Sequence, residues 1–72
     1  MQHQNKYKNI KQVEKELRKK LKKHEYVHIF FNYGAIEITN FEISGNRIFL
    51  YYYDYQIAYI EYESITDISP LD

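Results

Sequence analysis

The stretch from Tyr26 to Ser69 constrains the fold more than any other part of the chain, because it consists almost entirely of residues that favour β-strands. Val, Ile, Phe, Tyr and Thr fit a pleated, half-buried surface, and they dominate this stretch. Turn residues and polar breaks divide it into the runs YVHIFFNY, AIEITNFEIS, RIFLYYYD, QIAYIEYE and SITDIS. Because no helical pattern separates these runs, we expect an antiparallel β-structure over residues 26–69.

The second of these runs indicates a bent strand. Ile36 and Ile38 alternate with polar neighbours, whereas Phe41 and Ile43 continue the apolar alternation only if the strand changes face near Asn40. A small closed barrel needs a strand that bends in this way. We therefore predict a mostly β fold in which five antiparallel strands form a small, strongly bent barrel.

Residues 9–24 are predicted to form one N-terminal α-helix. Apolar side chains recur there at spacings of three and four residues, so they lie on one narrow stripe. That stripe consists of Ile10, Val13, Leu17 and Leu21. Asn9 is a suitable N-cap, and Gln12 can complete a capping box. Residues 1–8 offer almost nothing to bury, and we expect them to be frayed within a single domain of residues 1–72.

Length and composition limit the class of protein. A chain of 72 residues buries only roughly 60% of the surface that its unfolded form exposes, so we expect self-association to add stability. The absence of cysteine excludes disulfides and thiolate metal sites, and it is typical of a reducing compartment. No apolar run approaches the roughly 20 residues of a membrane span. We expect a cytoplasmic protein with no membrane partner.

The net charge of zero conceals a strong asymmetry. Residues 1–25 carry nine basic and three acidic residues, a net charge of +6. Residues 26–72 carry Arg47 alone against seven acidic residues, a net charge of −6. A division of this kind concerns partners and orientation rather than fold.

Three segments resemble the bacterial Sm-like RNA chaperone family, Hfq. YVHIFFNYG is similar to the first-strand motif of that family and includes its glycine, Gly34. EISGNRIFLYY is similar to the turn into its fourth strand, with Asn46 retained, and IEYESITDISP is similar to its closing motif, which ends in proline, here Pro70. The resemblance covers residues 26–70 and implies an N-terminal helix followed by a five-stranded Sm-like (SH3-type) barrel.

The resemblance also implies partners and site residues. The family forms rings of identical subunits and binds RNA, and Phe30 and Phe31 match positions that stack on the bases of A-rich RNA. The residues alone leave another interpretation open, in which Phe31 belongs to the core and Phe30 covers a subunit contact. Tyr62 and Glu63 stand where the family has a lysine-histidine pair near the pore. A carboxylate there repels phosphate, so we expect the uridine site of the family to be lost or altered.

The basic helix is the second candidate RNA contact. Its cations can neutralise RNA phosphates, and a ring that placed about six such helices on one side would strengthen the field. The residues best placed for this are Arg18, Lys19, Lys22 and Lys23, followed by Lys8, Lys11 and Lys15. The alternative is a solvated helix face without a ligand.

The sequence also contains nine tyrosines, and most of them lie in the runs RIFLYYYD and QIAYIEYE. Half of the side chains on alternating strands point away from the core, so we expect exposed aromatic surface in a monomer. Tyrosine suits interfaces because it joins an apolar ring to a polar tip. We therefore predict that Tyr51, Tyr53 and Tyr59 lie in a subunit interface, with base stacking as the alternative.

The remaining polar residues do not indicate catalysis or cofactor binding. His24 and His28 have a spacing of four residues, but no further ligands accompany them, so we expect no metal. The chain has no phosphate-binding loop and no nucleophile with a base and an orienting acid, so we expect neither an enzyme nor a cofactor. The leading hypothesis is an RNA-binding Sm-like ring that acts as an RNA chaperone or riboregulator. The alternative is a small interaction module or inhibitor that docks a protein partner through a tyrosine-rich sheet edge.

Overall fold

The structure is a computed structural model, and it describes residues 7–70. Most of the predicted frayed segment, residues 1–6, lies outside the described residues. The described chain forms one α-helix followed by β-strands and a short 3-10 turn. The predicted fold class, mostly β with an N-terminal helix, is therefore confirmed.

Helix α1 spans Ile10–Lys23, and its ends are set by side chains and backbone at the caps. Asn9 is the N-cap, and its Oδ1 accepts a hydrogen bond of 3.0 Å from the backbone N–H of Gln12. Gln12 Oε1 accepts a hydrogen bond of 2.7 Å from the N–H of Lys8, one residue earlier than a capping box requires. Lys20, Lys22 and Lys23 in the last turn complement the negative end of the helix dipole.

Six strands follow the helix, and all their pairings are antiparallel. They are β1 (Val27–Phe31), β2 (Gly34–Ile38), β3 (Asn40–Ser44), β4 (Arg47–Tyr52), β5 (Tyr55–Glu61) and β6 (Ile65–Pro70). A first sheet has the order β2-β1-β6, and a second sheet has the order β3-β4-β5. The 3-10 turn Tyr62–Ser64 connects β5 to β6.

The prediction of five strands in one closed barrel needs correction. The predicted second strand divides at Thr39 into β2 and β3, each of which pairs in a different sheet. Thr39 still donates its backbone N–H to the carbonyl oxygen of Tyr51 at 2.9 Å, so the two sheets remain connected there. Neither sheet is closed, and within residues 7–70 β5 and β6 are outer strands that do not pair with each other. The bend that the sequence predicts near Asn40 therefore lies at Thr39, one residue earlier, and it divides the predicted strand there.

The core lies between the inner faces of the two sheets and helix α1. Val13 and Leu17 of the helix are fully buried, and they pack with strand residues from both sheets. The buried strand residues are Val27, Ile29, Ile38, Ile48, Leu50, Ile65 and Ile68. Because the helix packs on this inner side, the outer faces of both sheets point away from it.

Tyr7 is the polar exception in this core. Its side chain is 6% exposed, and its hydroxyl has no hydrogen-bond partner among residues 7–70. Burial, together with the carboxylates of Glu16 and Asp67, raises the pKa of Tyr7 to about 12. An unpaired buried hydroxyl loses its bonds to water on folding without replacing them.

We expect the substitution Tyr7→Phe to raise the free energy of unfolding by about 1 kcal/mol near neutral pH, because it removes this unpaired hydroxyl. The raised pKa also means that the folded protein loses stability as the pH rises from about 10, the pKa of unfolded tyrosine, towards 12. The variant should therefore lose less stability over this alkaline range. Urea unfolding at pH 7 and pH 11 measures both effects, and a less stable variant at pH 7 would contradict the account.

Candidate nucleic-acid interface

The exposed side of helix α1 carries an excess of unpaired cations. Glu14 pairs with Arg18 at 2.8 Å, and Glu16 pairs with Lys20. The other lysines of the helix have no acidic partner among residues 7–70: Lys11, Lys15, Lys19, Lys22 and Lys23. All of them are exposed. This surface can neutralise several phosphates without first breaking ion pairs.

Arg18 and Lys22 border a groove between the helix and the start of β3. The groove has a volume of about 330 Å³, and its lining residues are Arg18, Leu21, Lys22, Thr39, Asn40 and Phe41. The guanidinium carbon of Arg18 lies 5.5 Å from the centroid of the Phe41 ring, a cation–π distance. Glu14 Oε2 holds that guanidinium through hydrogen bonds of 3.2 and 2.8 Å. The groove thus combines an oriented cation, an aromatic ring and polar side chains.

Phe41 was not identified as a site residue from the sequence. It pairs opposite Leu50 on the inner face of the second sheet and remains only partly buried at the edge of the core. Its neighbour Arg18 is 23 positions away in the sequence, so no local motif connects them. The one available signal was the change of strand face near Asn40, which turns Phe41 towards the helix.

The groove continues towards the β4–β5 turn, where its charge changes. A neighbouring cavity of about 450 Å³ is lined partly by Glu25, Tyr53 and Asp54. Carboxylates at this end repel phosphate, whereas Arg18 and Lys22 attract it at the other. The electrostatics therefore favour an anionic chain that enters at the Arg18 end and follows the lysines along the helix.

Phe30 and Phe31, the predicted stacking residues, lie on opposite faces of β1. Phe31 is half-buried and packs against the core. Phe30 is 37% exposed on the outer face of the first sheet, and its ring makes an edge contact with His28 at 5.9 Å. Its cross-strand partner on β6 is Asp67. Glu37 Oε1 lies 3.7 Å from His28 Nε2. Two acidic residues, Asp67 and Glu37, therefore lie near the exposed ring.

Tyr53, one of the predicted interface tyrosines, makes hydrogen bonds within the chain. Its hydroxyl donates to Glu25 at 2.6 Å and lies 2.8 Å from the hydroxyl of Tyr26. These contacts, with the Glu25 bond the larger, raise the pKa of Tyr53 well above its usual range. Its backbone has φ 57°, in the left-handed region that non-glycine residues rarely adopt, and its N–H donates to Thr39 Oγ1 at 2.6 Å.

The other predicted interface tyrosines lie on the outer face of the second sheet. Tyr51 is partly buried and donates its hydroxyl to Glu42 at 3.1 Å. Tyr59 is 53% exposed, and the guanidinium carbon of Arg47 lies 4.9 Å from its ring centroid. Tyr55 and Ile57 extend the exposed surface of β5, at 76% and 44%. Strand β5 therefore presents apolar surface along an open edge.

Tyr62 and Glu63, the positions of the family's lysine-histidine pair, lie in the 3-10 turn rather than in a strand. Tyr62 is partly buried against the core, and its N–H donates to the carbonyl of Asn46 at 3.3 Å. Glu63 is exposed. The turn lies beside the end of β1, because the N–H of Asn32 donates to the carbonyl of Ser64 at 3.2 Å.

Metal-binding clusters and membrane-spanning helices are absent from the described part of the chain. No group of three or more His, Cys, Asp or Glu side chains there could hold a metal ion. None of the helices in residues 7–70 has the length and apolar character needed to cross a bilayer.

Comparisons of the chain with protein-family models, with curated proteins and with solved structures found no match.

We expect Tyr53→Phe to lower the thermal unfolding midpoint, because it removes both hydroxyl contacts that hold the β4–β5 turn against the helix–β1 junction. The matched control is Tyr55→Phe, which alters a hydroxyl on a 76% exposed side chain in the same turn. Thermal unfolding followed by circular dichroism compares them. Equal midpoints for the two variants would show that the Tyr53 contacts do not stabilise the fold.

Proposed function

We propose that the protein binds single-stranded RNA as an Sm-like subunit of a homo-oligomeric ring, with the role of an RNA chaperone or riboregulator. The observation that carries the proposal is the groove in which Arg18 lies over Phe41 beside Lys22. Binding of single strands commonly combines cations for the phosphates with aromatic rings for the bases. Here both lie on the helix side of the molecule.

The order of the elements supports the Sm-like part of the proposal. An N-terminal helix precedes the strands, and a bend at Thr39 divides one long predicted strand between two sheets. Joined at that bend, the strands follow the order β6-β1-β2 and then β3-β4-β5. This order leaves β5 and β6 as the two ends of the combined arrangement, as a strand-exchanging ring subunit requires.

The open edges support the ring. Unpaired backbone groups on an edge strand can pair with another chain, and β5 combines such an edge with exposed Tyr55 and Ile57. When β5 of one subunit pairs with β6 of the next, the two subunits use different surfaces. The same contact can then repeat from subunit to subunit, and it closes into a ring if the rotation between neighbours adds up to a full turn. Residues 55–58 contain neither a charged side chain nor a proline that would block that pairing.

The RNA site is proposed at the helix groove rather than at Phe30. Glu37 and Asp67 lie near Phe30, and their charge opposes a phosphate backbone. The exposed carboxylate of Glu63 likewise disfavours the uridine site at the corresponding family position.

Arg18→Gln and Phe41→Leu should each weaken binding to an A-rich oligonucleotide. The first removes a phosphate contact and should reduce the slope of log affinity against log salt by about 1. The second keeps an apolar side chain but loses stacking worth about 1 to 3 kcal/mol, which is roughly tenfold or more in affinity. Fluorescence anisotropy at several salt concentrations measures both, with U-rich RNA as the comparison.

Lys20→Gln is the matched control, because Lys20, like Arg18, pairs with a glutamate one turn earlier on the same helix but does not line the groove. It should change affinity much less than Arg18→Gln. If the wild-type protein binds no A-rich RNA even at low salt, the RNA part of the proposal is wrong whatever the oligomeric state.

The ring has its own test, light scattering of the wild-type protein and of Ile57→Lys. Six subunits of 8.9 kDa give a mass of about 53 kDa. A lysine at the 44% exposed Ile57 should favour the monomer, because a charge on an edge strand opposes strand addition. Tyr33→Lys, at a 92% exposed position in the β1–β2 turn, should leave the mass unchanged.

A monomeric wild-type protein would favour the alternative function, docking of a different protein along the β5 edge. The observation behind that alternative is the exposed surface of Tyr55, Ile57 and Tyr59. Strand addition to an open edge is a common way to bind an extended peptide.

A further inference from the structure

The outer face of the second sheet carries an aromatic and acidic surface that the proposed RNA site does not use. Glu42, Phe49 and Tyr59 lie opposite one another across β3, β4 and β5. Tyr51 lies two residues further along β4, with its hydroxyl bonded to Glu42 at 3.1 Å. The rings of Phe49 and Tyr59 are 5.8 Å apart. We refer to these four residues as the outer platform.

This sheet face already holds one cationic side chain. The guanidinium carbon of Arg47 lies 4.9 Å from the ring centroid of Tyr59, and its Nε lies 3.7 Å from Glu61. An aromatic ring and a carboxylate therefore bind one cation together. Glu42 of β3 and Tyr51 of β4 likewise place a carboxylate beside an aromatic ring. No lysine or arginine among residues 7–70 forms an ion pair with Glu42.

A complementary surface lies on the helix. Lys11, Lys15 and Lys19 recur every four residues, so they project from one side of α1. All three are exposed and lack an acidic partner in the described chain. We refer to them as the lysine stripe.

The lysine stripe makes no ion pair with the outer platform of its own molecule within residues 7–70. Helix α1 buries Val13 and Leu17 in the same core as Ile48 and Leu50, and it contacts mainly β1 and β6 of the first sheet. Phe49 and Tyr51 of the outer platform alternate with Ile48 and Leu50 along β4, so they point to the other side, and Glu42 and Tyr59 pair opposite Phe49. A second molecule can bring a lysine stripe to this outer face.

We propose that the outer platform of one copy binds the lysine stripe of a second copy. The opposite charges of the two surfaces support this occupant, because the lysine stripe carries three cations, whereas the sheet face carries Glu42 and Glu61 against Arg47 alone. RNA is a poorer occupant, since Glu42 and Glu61 oppose phosphates on this face. The contact joins two different surfaces, so it repeats from copy to copy without depending on the ring.

Such a contact consists of exposed charges and should therefore be sensitive to salt. Sedimentation velocity of the full chain at low salt should show a larger species than in about 1 M salt, where the Debye length is roughly 3 Å. Pairing through strand edges, by contrast, should persist at high salt. The difference between the two conditions measures this contact alone, so it can fail while the ring and the RNA proposals survive.

Two charge reversals identify the partner surfaces. Glu42→Lys and Lys15→Glu should each weaken the salt-sensitive association by more than about tenfold, because each places like charges in contact. An equal mixture of the two variants should restore it, since the lysine introduced on the platform of one variant then meets the glutamate introduced on the helix of the other. Glu63→Lys makes the same charge change outside the platform and should leave the association intact. Circular dichroism should show that every variant is folded.

Several outcomes would overturn this inference. The wild-type protein could show the same size at low and high salt, or the mixture of charge-reversed variants could fail to associate. Weaker RNA binding by Tyr59→Ala, with unchanged salt-sensitive association, would instead assign the platform to RNA.

Discussion

The contacts of Thr39 hold the two halves of the molecule together. Its backbone N–H bonds to Tyr51 of the second sheet, and its hydroxyl accepts the N–H of Tyr53. Tyr53 in turn reaches Glu25 and Tyr26 at the junction between the helix and β1. A single residue between β2 and β3 is therefore connected to the β4–β5 turn and, through it, to the end of the helix. Because Thr39 also lines the groove beside Arg18, these contacts hold one wall of the candidate RNA site in place.

The left-handed backbone of Tyr53 fits this account. A tyrosine at φ 57° carries a steric cost that a glycine would avoid. The hydroxyl bonds to Glu25 and Tyr26 need the side chain that glycine lacks, so the same residue that strains the turn also fastens it. In the β3–β4 turn the residue with a positive φ, 64°, is Gly45, which has no Cβ and therefore lacks this steric cost.

Local patterns in the sequence were sufficient for the elements but not for their assembly. The apolar spacing of Val13 and Leu17 and the cap at Asn9 identified the helix, because helix formation depends on neighbouring residues. The change of face near Asn40 indicated a bend, but not that the ladder would divide there. Arg18 over Phe41 and Tyr53 against Glu25 join residues 23 and 28 positions apart, and no periodicity reports such contacts.

The candidate sites show the same difference between local features, which the sequence predicts, and contacts between distant residues, which it does not. Exposure of the helix lysines could be predicted, because the apolar stripe leaves the opposite side to solvent. The acidic surroundings of Phe30 could not, because Asp67 reaches β1 only through the pairing of β1 with β6. Separation of charge between helix and sheets gives the lysines two possible anionic partners, an RNA and the outer platform of another copy. The RNA groove uses Arg18 and Lys22, whereas the contact between copies uses Lys11, Lys15 and Lys19 of the same helix. Because an RNA that extends from the groove along the helix covers this lysine stripe, RNA binding and association between copies must weaken each other by the same factor if both proposals hold.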